Sequence, residues 1–512
     1  MKNSIFSLND SISNLLQQKP NHNLVKDLGD ERWLTRGEVD QLVEQLTILM
    51  AQSGVKQGDL ILITLPNSVD YVITLLACFR LKAIAYTANP TMPTSELTKT
   101  IQKNHYAAAF FGNEHAGNLP RIEAETGTFF SDNPCILAPH KTMSFYRLSG
   151  QKHLANDQLD TFNERTDGQL ASLLYTSGTT GAPKAVALTA PQLLSAAKDV
   201  ALSQHLSDED RTLVMLPLFH INAQVISLLA TIISGGQLVI THKFSAHKFW
   251  QTINDEQITW VSAAPAIIAI LLRSPQPETI FNKLRFIRCA SAPLPPSQEQ
   301  LFEHLFSVPV IQGYGMTEAA SQITVNPLSA PRQGSVGQVT NSEMKIVDDR
   351  HQPVSANQIG QVTLRGSHII HQYVDPQYQA EFINGWFLTG DMGYVDTDGY
   401  LFLVGRKREI INRSGDKISP LEVEDAILSL GYIRDVAVVG QPDAIYGEQV
   451  VAVVVLQPNL VAGEVLAKDI QQHVQQQLSR FKVPSEIIFW RDLPTGATGK
   501  IQRTKVKALL GG

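Results

Sequence analysis

The sequence predicts an α/β protein with two helix-covered, mostly parallel sheets and a small β-barrel-like subdomain in a large N-terminal domain, followed by a small α+β domain. Apolar strand patterns alternate with helix patterns through most of the chain, which is typical of parallel sheets covered by helices. After about residue 312 the pattern changes to short alternating strands with Gly and Asp turns. A chain of 512 residues, 43% of them hydrophobic, is long enough for more than one core.

The first clear unit is "DLILITLPNSVDYVITLLACFRLKAIAYTANP". It predicts a strand over 60–65, a helix whose N-terminus is capped by Asn67 or Ser68, and a second strand that ends at Asn89 and Pro90. The same alternation recurs over 171–240 and 260–311. These βαβ units form the predicted α/β part of the chain.

The remaining segments predict the smaller parts. "GSVGQVTNSEMKIVDD", "GQVTLRGSHIIHQYV" and "GYLFLVGRKREI" are typical of a small barrel or meander. From "ISPLEVEDAILSL" onward the pattern gives a helix, two strands, a Gln-rich helix over 467–478 and a lysine-rich tail. About 100 residues of this kind predict a separate α+β domain.

Composition excludes several classes of function. The net charge of −6 lacks the basic excess of a nucleic-acid-binding protein, so we expect a small-molecule or protein partner. No apolar run approaches the ~18 to 20 residues of a membrane span, and the N-terminus lacks a secretory signal, so we expect a cytoplasmic protein without an integral membrane segment. Three widely spaced cysteines predict neither a disulfide framework nor a zinc site. The oligomeric state is left unknown.

The segment "YTSGTTGAPKAV" (175–186) carries the first chemical signal. Hydroxyl side chains, glycines that let a ligand approach the main chain, and the cation of Lys184 together form a cradle for phosphate oxygens. A polar turn between the strands "ASLLY" and "AVALT" is the alternative. Gly178, Gly181 and Lys184 do not fit G-x-x-x-x-G-K-[ST], which excludes a Walker-type nucleotide site.

Other candidates have two interpretations each. Tyr314 offers a flat ring for a purine, or is a core tyrosine. Thr317 and Glu318 place a hydroxyl beside a carboxylate, or begin a helix. Asp391 is able to accept from both hydroxyls of a ribose, or lies in a turn.

The remaining candidates are basic. Arg406 belongs to the cluster "RKRE", which alone is typical of a solvated surface. His220 ends the apolar run "LPLF" and on composition is a core histidine. Lys500, near the C-terminal end, on composition belongs to an exposed basic tail.

Seven segments in fixed order resemble the adenylate-forming superfamily, which contains acyl-CoA synthetases, firefly luciferase and the adenylation domains of peptide synthetases. The segments are "YTSGTTGAPKAV", "LPLFH", "SAPL", "GYGMTE", "GWFLTGD", "GRKREIINRSGDKISPLEVE" and "PTGATGK". Because they extend over nearly the whole chain, their order is far more specific than any one of them.

The resemblance implies a role for each candidate. Tyr314 lies along the adenine, Thr317 bonds a phosphate, Glu318 holds Mg²⁺, and Asp391 and Arg406 reach the ribose. The implied catalytic residues are Lys500, Thr317 and His220. The implied ATP- and AMP-binding residues are Thr176, Ser177, Gly178, Thr179, Thr180, Gly181, Lys184, Ser291, Ala292, Pro293, Gly313, Tyr314, Gly315, Met316, Thr317, Asp391 and Arg406.

The resemblance also implies a reaction in two halves, with ATP, Mg²⁺ and coenzyme A. A carboxylate attacks the α-phosphate of ATP and releases pyrophosphate, and a thiol then displaces AMP. Residues 1–404 form the N-terminal domain, 405–408 the hinge with Arg408, and 409–512 a mobile lid domain with Lys500. Gly415 lines the tunnel for the pantetheine, where the lack of a Cβ permits close approach.

The motifs say less about which acid the enzyme uses than about the reaction. "KLRFIRCASAPL", "MTEAASQITVNPL" and "INRSGDKISPLEVE" are similar to the oxalate-CoA ligase-like synthetases. That group typically has Val-His-Gly where this chain has Ile221, Asn222 and Ala223, and a histidine where Ser321 stands. The loss of two imidazoles puts a dicarboxylic substrate in doubt.

The predicted acid pocket therefore contains His220, Asn222, Gln224 and Ser321, with Gln322 beside them. These side chains suit oxalate or another small or polar acid.

Two other classes of function remain as alternatives. One is a stand-alone adenylation enzyme that loads an acid onto the phosphopantetheine of a carrier protein, and the other is a non-enzymatic nucleotide-binding relative. "LPLFHINAQ" lacks the aspartate with which amino-acid-selecting domains hold an α-amino group. Lys184, Glu318 and Lys500 are all present, which favours an active enzyme.

Overall fold

The structure is a computed structural model that describes residues 7–137, 141–150, 159, 162–164, 169–176, 184–275, 283–458, 460–496 and 501–511. In chain order, the α-helices in these ranges are α1 (Leu8–Gln17), α2 (Arg36–Gln52), α3 (Val69–Leu81), α4 (Thr94–Lys103), α5 (Asn113–Ala116), α6 (Leu119–Thr126), α7 (Ala190–Ser203), α8 (Ala230–Ser234), α9 (Ala246–Asp255), α10 (Pro265–Leu272), α11 (Pro296–Phe306), α12 (Pro420–Leu428), α13 (Glu464–Gln477) and α14 (Arg503–Leu510). A π-helical segment (Ala223–Leu229) leads into α8, and 3₁₀ turns occur at Thr317–Ala319, Pro376–Glu381 and Arg480–Lys482.

The strands of the same ranges form four sheets. They are β1 (Asn23–Asp27), β2 (Leu34–Thr35), β3 (Leu60–Thr64), β4 (Ile84–Thr87), β5 (Ala108–Phe111), β6 (Phe129–Leu137), β7 (Lys141–Ser149), β8 (Leu170–Thr176), β9 (Lys184–Thr189), β10 (Arg211–Val214), β11 (Gln237–Ile240), β12 (Trp260–Ala263), β13 (Phe286–Cys289), β14 (Val310–Tyr314), β15 (Thr324–Val325), β16 (Gln338–Val339), β17 (Ser342–Val347), β18 (Gly360–Gly366), β19 (Phe382–Ile383), β20 (Trp386–Val395), β21 (Leu401–Arg406), β22 (Ile411–Arg413), β23 (Asp416–Ile418), β24 (Ile433–Asp443), β25 (Gly447–Leu456) and β26 (Glu486–Phe489).

The first predicted βαβ unit is present as β3, α3 and β4, with β3 and β4 parallel. Ser68 is the cap, because its Oγ accepts a hydrogen bond from the Tyr71 amide. The side chain of Asn67 instead bonds the main chain at Leu216 and Leu218 and so ties this unit to the loop after β10.

Two large sheets form the α/β part of the molecule. The seven-stranded sheet has the order β6-β7-β5-β3-β4-β8-β9, and the nine-stranded sheet has the order β16-β15-β14-β13-β12-β10-β11-β1-β2. Central strands such as β3, β4, β12 and β13 are buried along their whole length, as parallel strands covered by helices should be.

The edges of both sheets are antiparallel, which the mostly parallel prediction did not specify. β8 and β9 form a hairpin at one edge of the seven-stranded sheet, and β6 and β7 form a second at the other edge. In the nine-stranded sheet β15 pairs antiparallel with β14 on one side and with β16 on the other. Both large sheets are therefore mixed, with parallel centres and antiparallel edges.

The third sheet is antiparallel and contains β17 to β21. It corresponds to the predicted barrel-like subdomain. In it, Asp391 on β20 is the direct cross-strand partner of Arg406, the last residue of β21.

The small C-terminal domain contains the fourth sheet, β22 to β26, with α12, α13 and α14. It contacts the large domain through Ser297 Oγ, which donates to Asp425 Oδ1 at 3.0 Å, and through Ser419 Oγ, which donates to the Val404 carbonyl at 2.5 Å. Within the described parts of the chain, none of the helices combines the length and apolar character needed to cross a bilayer.

Candidate functional site

The candidate site lies where β8, β14, β20 and β21 end or pass close together. Thr176 ends β8 and pairs in register with Lys184, the first residue of β9. Tyr314 ends β14, and Asp391 and Arg406 come from the third sheet. Three sheets thus contribute polar side chains to one region.

Asp391 lies at the centre of one hydrogen-bonded cluster. Its Oδ2 accepts from Tyr314 Oη at 2.5 Å, and its Oδ1 pairs with Arg406 Nε at 2.7 Å. The residue is 6% exposed, so these are strong, charge-assisted contacts. Burial alone would lower the pKa of Arg406, but Asp391, Tyr314, Glu318 and Glu409 together outweigh burial and raise it. The cluster presents a fixed carboxylate with a tyrosine ring beside it.

The chain around Tyr314 is packed too closely for side chains at two glycines. A Cβ at Gly315 would lie 1.3 Å from the Ser321 carbonyl oxygen, and one at Gly313 would lie 2.8 Å from Arg288 Nη2. Ser291, Ala320 and Ser321 have positive φ angles of 78°, 46° and 99°, which cost energy in residues with a Cβ. Such backbone concentrated around one tyrosine indicates a functional site.

A second cluster surrounds Lys184. Its ammonium pairs with the carboxylate of Glu381 and lies 5.0 and 4.7 Å from the ring centres of Tyr373 and Tyr378. Tyr373 Oη lies 2.8 Å from Glu318 Oε1 and 3.1 Å from Glu381 Oε2, so its single proton is shared between two carboxylates. Lys184 and Glu318 are thereby linked through a phenol.

Glu318 lies in the 3₁₀ turn Thr317–Ala319 directly after the glycine-rich "GYG" segment. It is 6% exposed, and burial raises the pKa of its carboxyl group. A buried carboxylate near the Lys184 ammonium suits a hard ion such as Mg²⁺, which is commonly held by one or two carboxylates together with substrate phosphates. Thr317 is half-buried beside it, and Met316 packs against the main core.

The segment Ser291, Ala292 and Pro293 follows β13 and is connected to the predicted acid pocket. Asn222 Nδ2 donates to Ser291 Oγ at 3.0 Å, and Ser262 Oγ donates to Asn222 Oδ1 at 3.2 Å. Asn222 therefore joins the loop of 291–293 to β12.

His220 lies at the start of the pocket segment with its ring 4.3 Å from that of Phe219, centre to centre. Its Nε2 is buried and has no hydrogen-bond partner among the described residues. Burial lowers the pKa of His220 to about 4, so the imidazole is neutral near pH 7. A neutral ring without a hydrogen-bond partner at Nε2 is able to move aside for a substrate.

Gln224 and Gln322 bond mainly to the protein. Gln224 is 1% exposed, and its amide nitrogen lies within 3.1 Å of Tyr71 Oη, Thr87 Oγ1 and the Leu218 carbonyl. Gln322 Nε2 donates to Asp199 and Ser203, both at 3.0 Å.

Ser321 is 5% exposed beside Gln322. A direct contact of Gln224 or Ser321 with an acid stays a prediction.

The small domain holds the remaining candidates that the structure describes. Gly415, with φ of 96°, lies in the exposed turn between β22 and β23, and Arg408 is exposed just after β21. Arg503 at the start of α14 is ion-paired with Glu424 at 2.5 Å and with Glu409 at 3.4 Å. Glu409 follows the predicted hinge, so Arg503 connects α14 to it.

Several predicted residues lie outside the described ranges. They are Ser177, Gly178, Thr179, Thr180 and Gly181 of the phosphate loop, and the catalytic candidate Lys500. Thr176 and Lys184 bound the first gap. The described residues on either side of Lys500 are joined by the pairing of Thr495 with Ile501 and by the bond from the Gln502 amide to the Pro494 carbonyl at 2.9 Å.

Sequence reasoning missed Tyr373, Glu381, Arg503 and Arg288. The first two lie in "HQYVDPQYQAEF", where no spacing rule identifies them. Arg503 lies in the C-terminal segment that the sequence predicts as a basic tail. Arg288 gave a usable signal, because a charged residue inside the apolar strand pattern "LRFIRC" should be buried and therefore functional or paired.

Comparison with known proteins gives the family. The AMP-binding enzyme family matches residues 13–374, and the AMP-binding enzyme C-terminal domain family matches residues 422–500. The oxalate–CoA ligase of Arabidopsis thaliana is 34% identical over 96% of this chain and 97% of its own length. The sulfoacetate–CoA ligase of Cupriavidus necator is 37% identical over 66% of each chain.

The fold has solved counterparts as well. The o-succinylbenzoate coenzyme A synthetase (MenE) of Bacillus subtilis, solved with ATP and magnesium ion, is 26% identical, covers 97% of this chain and 99% of its own, and has a TM-score of 0.78. Matches to both parts of the family, together with relatives that are CoA ligases over nearly the full length, show that the chain belongs to the AMP-binding enzyme family and is an AMP-forming acyl-CoA synthetase.

Proposed function

We propose that this enzyme joins a small or polar carboxylic acid to coenzyme A, with ATP as the source of energy and an acyl-adenylate as the intermediate. One observation carries the proposal. The Tyr314–Asp391–Arg406 cluster and the Lys184–Tyr373–Glu318 cluster flank the same "GYGMTE" segment, so one nucleotide is able to meet both.

In this proposal Asp391 accepts hydrogen bonds from the ribose hydroxyls, and Arg406 holds the carboxylate in place. Tyr314 lies along the adenine, beside Ser291, Ala292 and Pro293. Lys184 holds the β- and γ-phosphates, together with the loop of 176–181. Phosphate oxygens would then compete with Glu381 for the Lys184 ammonium.

The first half-reaction transfers the adenylyl group to the acid. A carboxylate oxygen of the acid attacks the α-phosphorus, the bond from that phosphorus to the pyrophosphate oxygen breaks, and pyrophosphate leaves. Thr317 donates to the α-phosphate, and Lys500 bridges the carboxylate and the phosphate. A fixed ammonium stabilises the negative charge that grows there in the transition state.

Mg²⁺ fits the site because Glu318 supplies a buried oxygen ligand whose charged form gains from a nearby cation. When bound, the ion neutralises charge on the phosphates. Glu318 would hold it, with Tyr373 orienting the carboxylate through the 2.8 Å hydrogen bond.

The second half-reaction needs the thiol. The coenzyme A sulfur attacks the acyl carbon, the bond from that carbon to the AMP oxygen breaks, and the thiol proton is released. The small domain turns about residues 405–408 so that the turn with Gly415 replaces the Lys500 segment at the site. His220, neutral and without a bond at Nε2, clears the acyl carbon for attack.

The acid is proposed from the pocket and the relatives together. The relatives' names specify oxalate and sulfoacetate, which are small, polar acids. Of the predicted pocket residues, Asn222 bonds Ser291 of the loop of 291–293, and the Ser321 carbonyl lies against Gly315 of the "GYG" segment. We therefore propose that oxalate or another small, polar acid binds in this pocket.

ATP–pyrophosphate exchange over a panel of acids tests the proposal. Exchange should depend on one or a few small polar acids, and adding coenzyme A should convert that acid to a thioester with release of AMP. A thioester on an added carrier protein, with none on coenzyme A, would support the carrier-loading alternative. No exchange with any acid would contradict the proposed activity.

A further inference from the structure

Arg288 is a buried cation that the proposed reaction does not use. It is the third residue of β13 and is 1% exposed. Its side chain faces the same side of the sheet as Phe286 and as Ser262, the residue of β12 with which Arg288 pairs in register. That side is covered by α7 and the π-helical segment, as the packing of Val200 and Ile226 on Phe286 shows.

The guanidinium has few partners there. Nη2 donates to Gln322 Oε1 at 3.3 Å, whereas Nε and Nη1 are buried and lack an acceptor among the described residues. Burial lowers the pKa of Arg288 to about 10, so the group is still charged near neutral pH. A buried charge with N–H groups that have no acceptor is costly unless an anion meets it.

The carboxylate of Asp199, whose charge acts on Arg288, does not fill that need. Asp199 accepts from Gln322 Nε2 at 3.0 Å and from Thr340 Oγ1 at 2.5 Å, so the Gln322 amide stands between it and the guanidinium. His368, which also faces this cluster through the Gln322 carbonyl, has its pKa lowered by burial and is neutral.

The position of Arg288 places it at the predicted acid pocket. The Cβ of a side chain at Gly313 would lie 2.8 Å from Nη2, so the guanidinium lies directly against the segment that ends in Tyr314. Ser262 beside it bonds Asn222, which in turn bonds Ser291. Gln322, its hydrogen-bond acceptor, follows Ser321. The N–H groups therefore lie among the residues predicted to bind the acid.

We propose that Arg288 binds a second anionic group of the acid substrate, a carboxylate or a sulfonate, while the first carboxylate is adenylated. This inference rests on the acid–CoA ligase activity proposed above. It also answers the doubt raised by the missing imidazoles, because a guanidinium supplies the positive charge and the N–H donors that a second anion needs.

The test compares acids that differ only in the charge of the second group. Oxalate, malonate, succinate and sulfoacetate are each paired with the uncharged amide analogue, such as oxamate or sulfamoylacetate. ATP–pyrophosphate exchange gives kcat/KM for the wild type, for Arg288→Met and for Arg288→Lys. Arg285→Met is the matched control, since Arg285 pairs with Asp210 at 2.8 Å and lies three residues earlier in the chain.

The wild type should prefer an anionic acid over its amide. Arg288→Met should lower kcat/KM for that acid by a factor on the order of 10 to 100, the range of a lost charge-assisted hydrogen bond, and leave the value for the amide unchanged or higher. Arg288→Lys should be intermediate, and Arg285→Met should keep the wild-type preference. Whether a carboxylate or a sulfonate is preferred distinguishes the two anions.

Thermal unfolding gives a second readout that does not depend on turnover. Without acid, Arg288→Met should unfold no lower than the wild type, because a buried charge has been removed. The preferred anionic acid should raise the unfolding temperature of the wild type and not of Arg288→Met.

Three results would overturn the role of Arg288 while the enzyme remains an acid–CoA ligase: a wild type that prefers the amides, an equal loss on both acids of a pair, or a large loss of stability in both Arg288 variants. No exchange by the wild type with any acid would instead remove the proposed function, and this inference with it.

Discussion

At the scale of residues, Lys184, the proposed phosphate-binding cation, is held by one carboxylate and two tyrosine rings. Lys184 pairs with Glu381 and lies over two tyrosine rings, while Tyr373 connects Glu381 to Glu318. In the proposed site, a triphosphate must displace the Glu381 carboxylate from the Lys184 ammonium. The affinity for ATP therefore includes the cost of breaking that pair.

Glu381→Gln should lower KM for ATP about 3-fold, because a partly exposed ion pair contributes roughly 0.5–1 kcal/mol. The kcat should change little. Steady-state kinetics with varied ATP measure this, and Glu343→Gln, which removes the surface partner of Arg365, is the control. A higher KM in Glu381→Gln would mean that Glu381 helps to bind the nucleotide.

His220 should make the protein less stable in mild acid. Its folded-state pKa of about 4 lies below the ordinary value of 6.5, so the unfolded chain binds more protons between those values. The contribution of His220 to the free energy of unfolding is fully present above about pH 6.5 and is lost as the pH falls toward about 4. Thermal unfolding at about pH 5 and about pH 7.5 should show a smaller pH effect in His220→Ala than in the wild type. Equal pH effects in His220→Ala and the wild type would show that His220 is not the source of the lower stability in acid.

The sequence predicts the individual residues of the proposed nucleotide site, but only the fold shows how they meet. Asp391 and Arg406 are 15 positions apart in the chain and become direct partners because β20 and β21 pair in register. Tyr373 and Glu381 could not be predicted, since their role depends on where the turn at 376–381 lies relative to β9. Arg288 did carry a signal in the sequence, a charge within an apolar strand.

At the scale of elements, local chemistry was the most reliable guide. The first βαβ unit was predicted because Ser68, the helix and both strands each have local signals. The antiparallel edges of the large sheets had no such signal. A hairpin joins antiparallel strands and a crossover joins parallel ones, and the sequence does not show which strands pair.

The start of α14 depends on a buried ion pair. Arg503 Nε and Nη2 contact Glu424 at 2.9 and 2.5 Å, and both side chains are about one-tenth exposed. Burial alone would lower the pKa of Arg503, but Glu424 and Glu409 raise it. This pair fixes the helix that directly follows the segment with Lys500.

Arg503→Met should destabilise the small domain by about 3 kcal/mol, because it leaves Glu424 as an unpaired buried charge. It should also slow ATP–pyrophosphate exchange more than thioester formation from supplied acyl-adenylate. Lys507→Met, which removes the exposed pair with Glu448, is the control. Equal slowing of both half-reactions would show that Arg503 does not act through the Lys500 segment.

At the scale of the whole molecule, the two domains have separate roles in the proposed cycle. Lys184, Tyr314, Glu318 and Asp391 belong to the large domain and Arg406 to the proposed hinge, whereas the Lys500 segment and the turn with Gly415 belong to the small domain. Because the segment and the turn cannot occupy one site at once, the proposed cycle has the small domain turn about residues 405–408 between half-reactions.

Lys500→Ala should abolish adenylation and largely spare the transfer of the acyl group from supplied acyl-adenylate to coenzyme A. The ammonium stabilises charge only while the carboxylate attacks phosphorus, and it has no part in attack by the thiol. Separate assays of the two half-reactions measure this. Loss of both to the same extent would rule out the alternation of domains.

The defining step of the proposed reaction is the attack of the acid oxygen on the α-phosphorus of ATP. The acid that gives the fastest ATP–pyrophosphate exchange is labelled with oxygen-18 in its carboxylate. The enzyme converts it with ATP and coenzyme A, and the products are examined by mass spectrometry. We predict one labelled oxygen in the phosphate of AMP and none in pyrophosphate. Label in inorganic phosphate formed together with ADP, or AMP without label, would contradict the acyl-adenylate route.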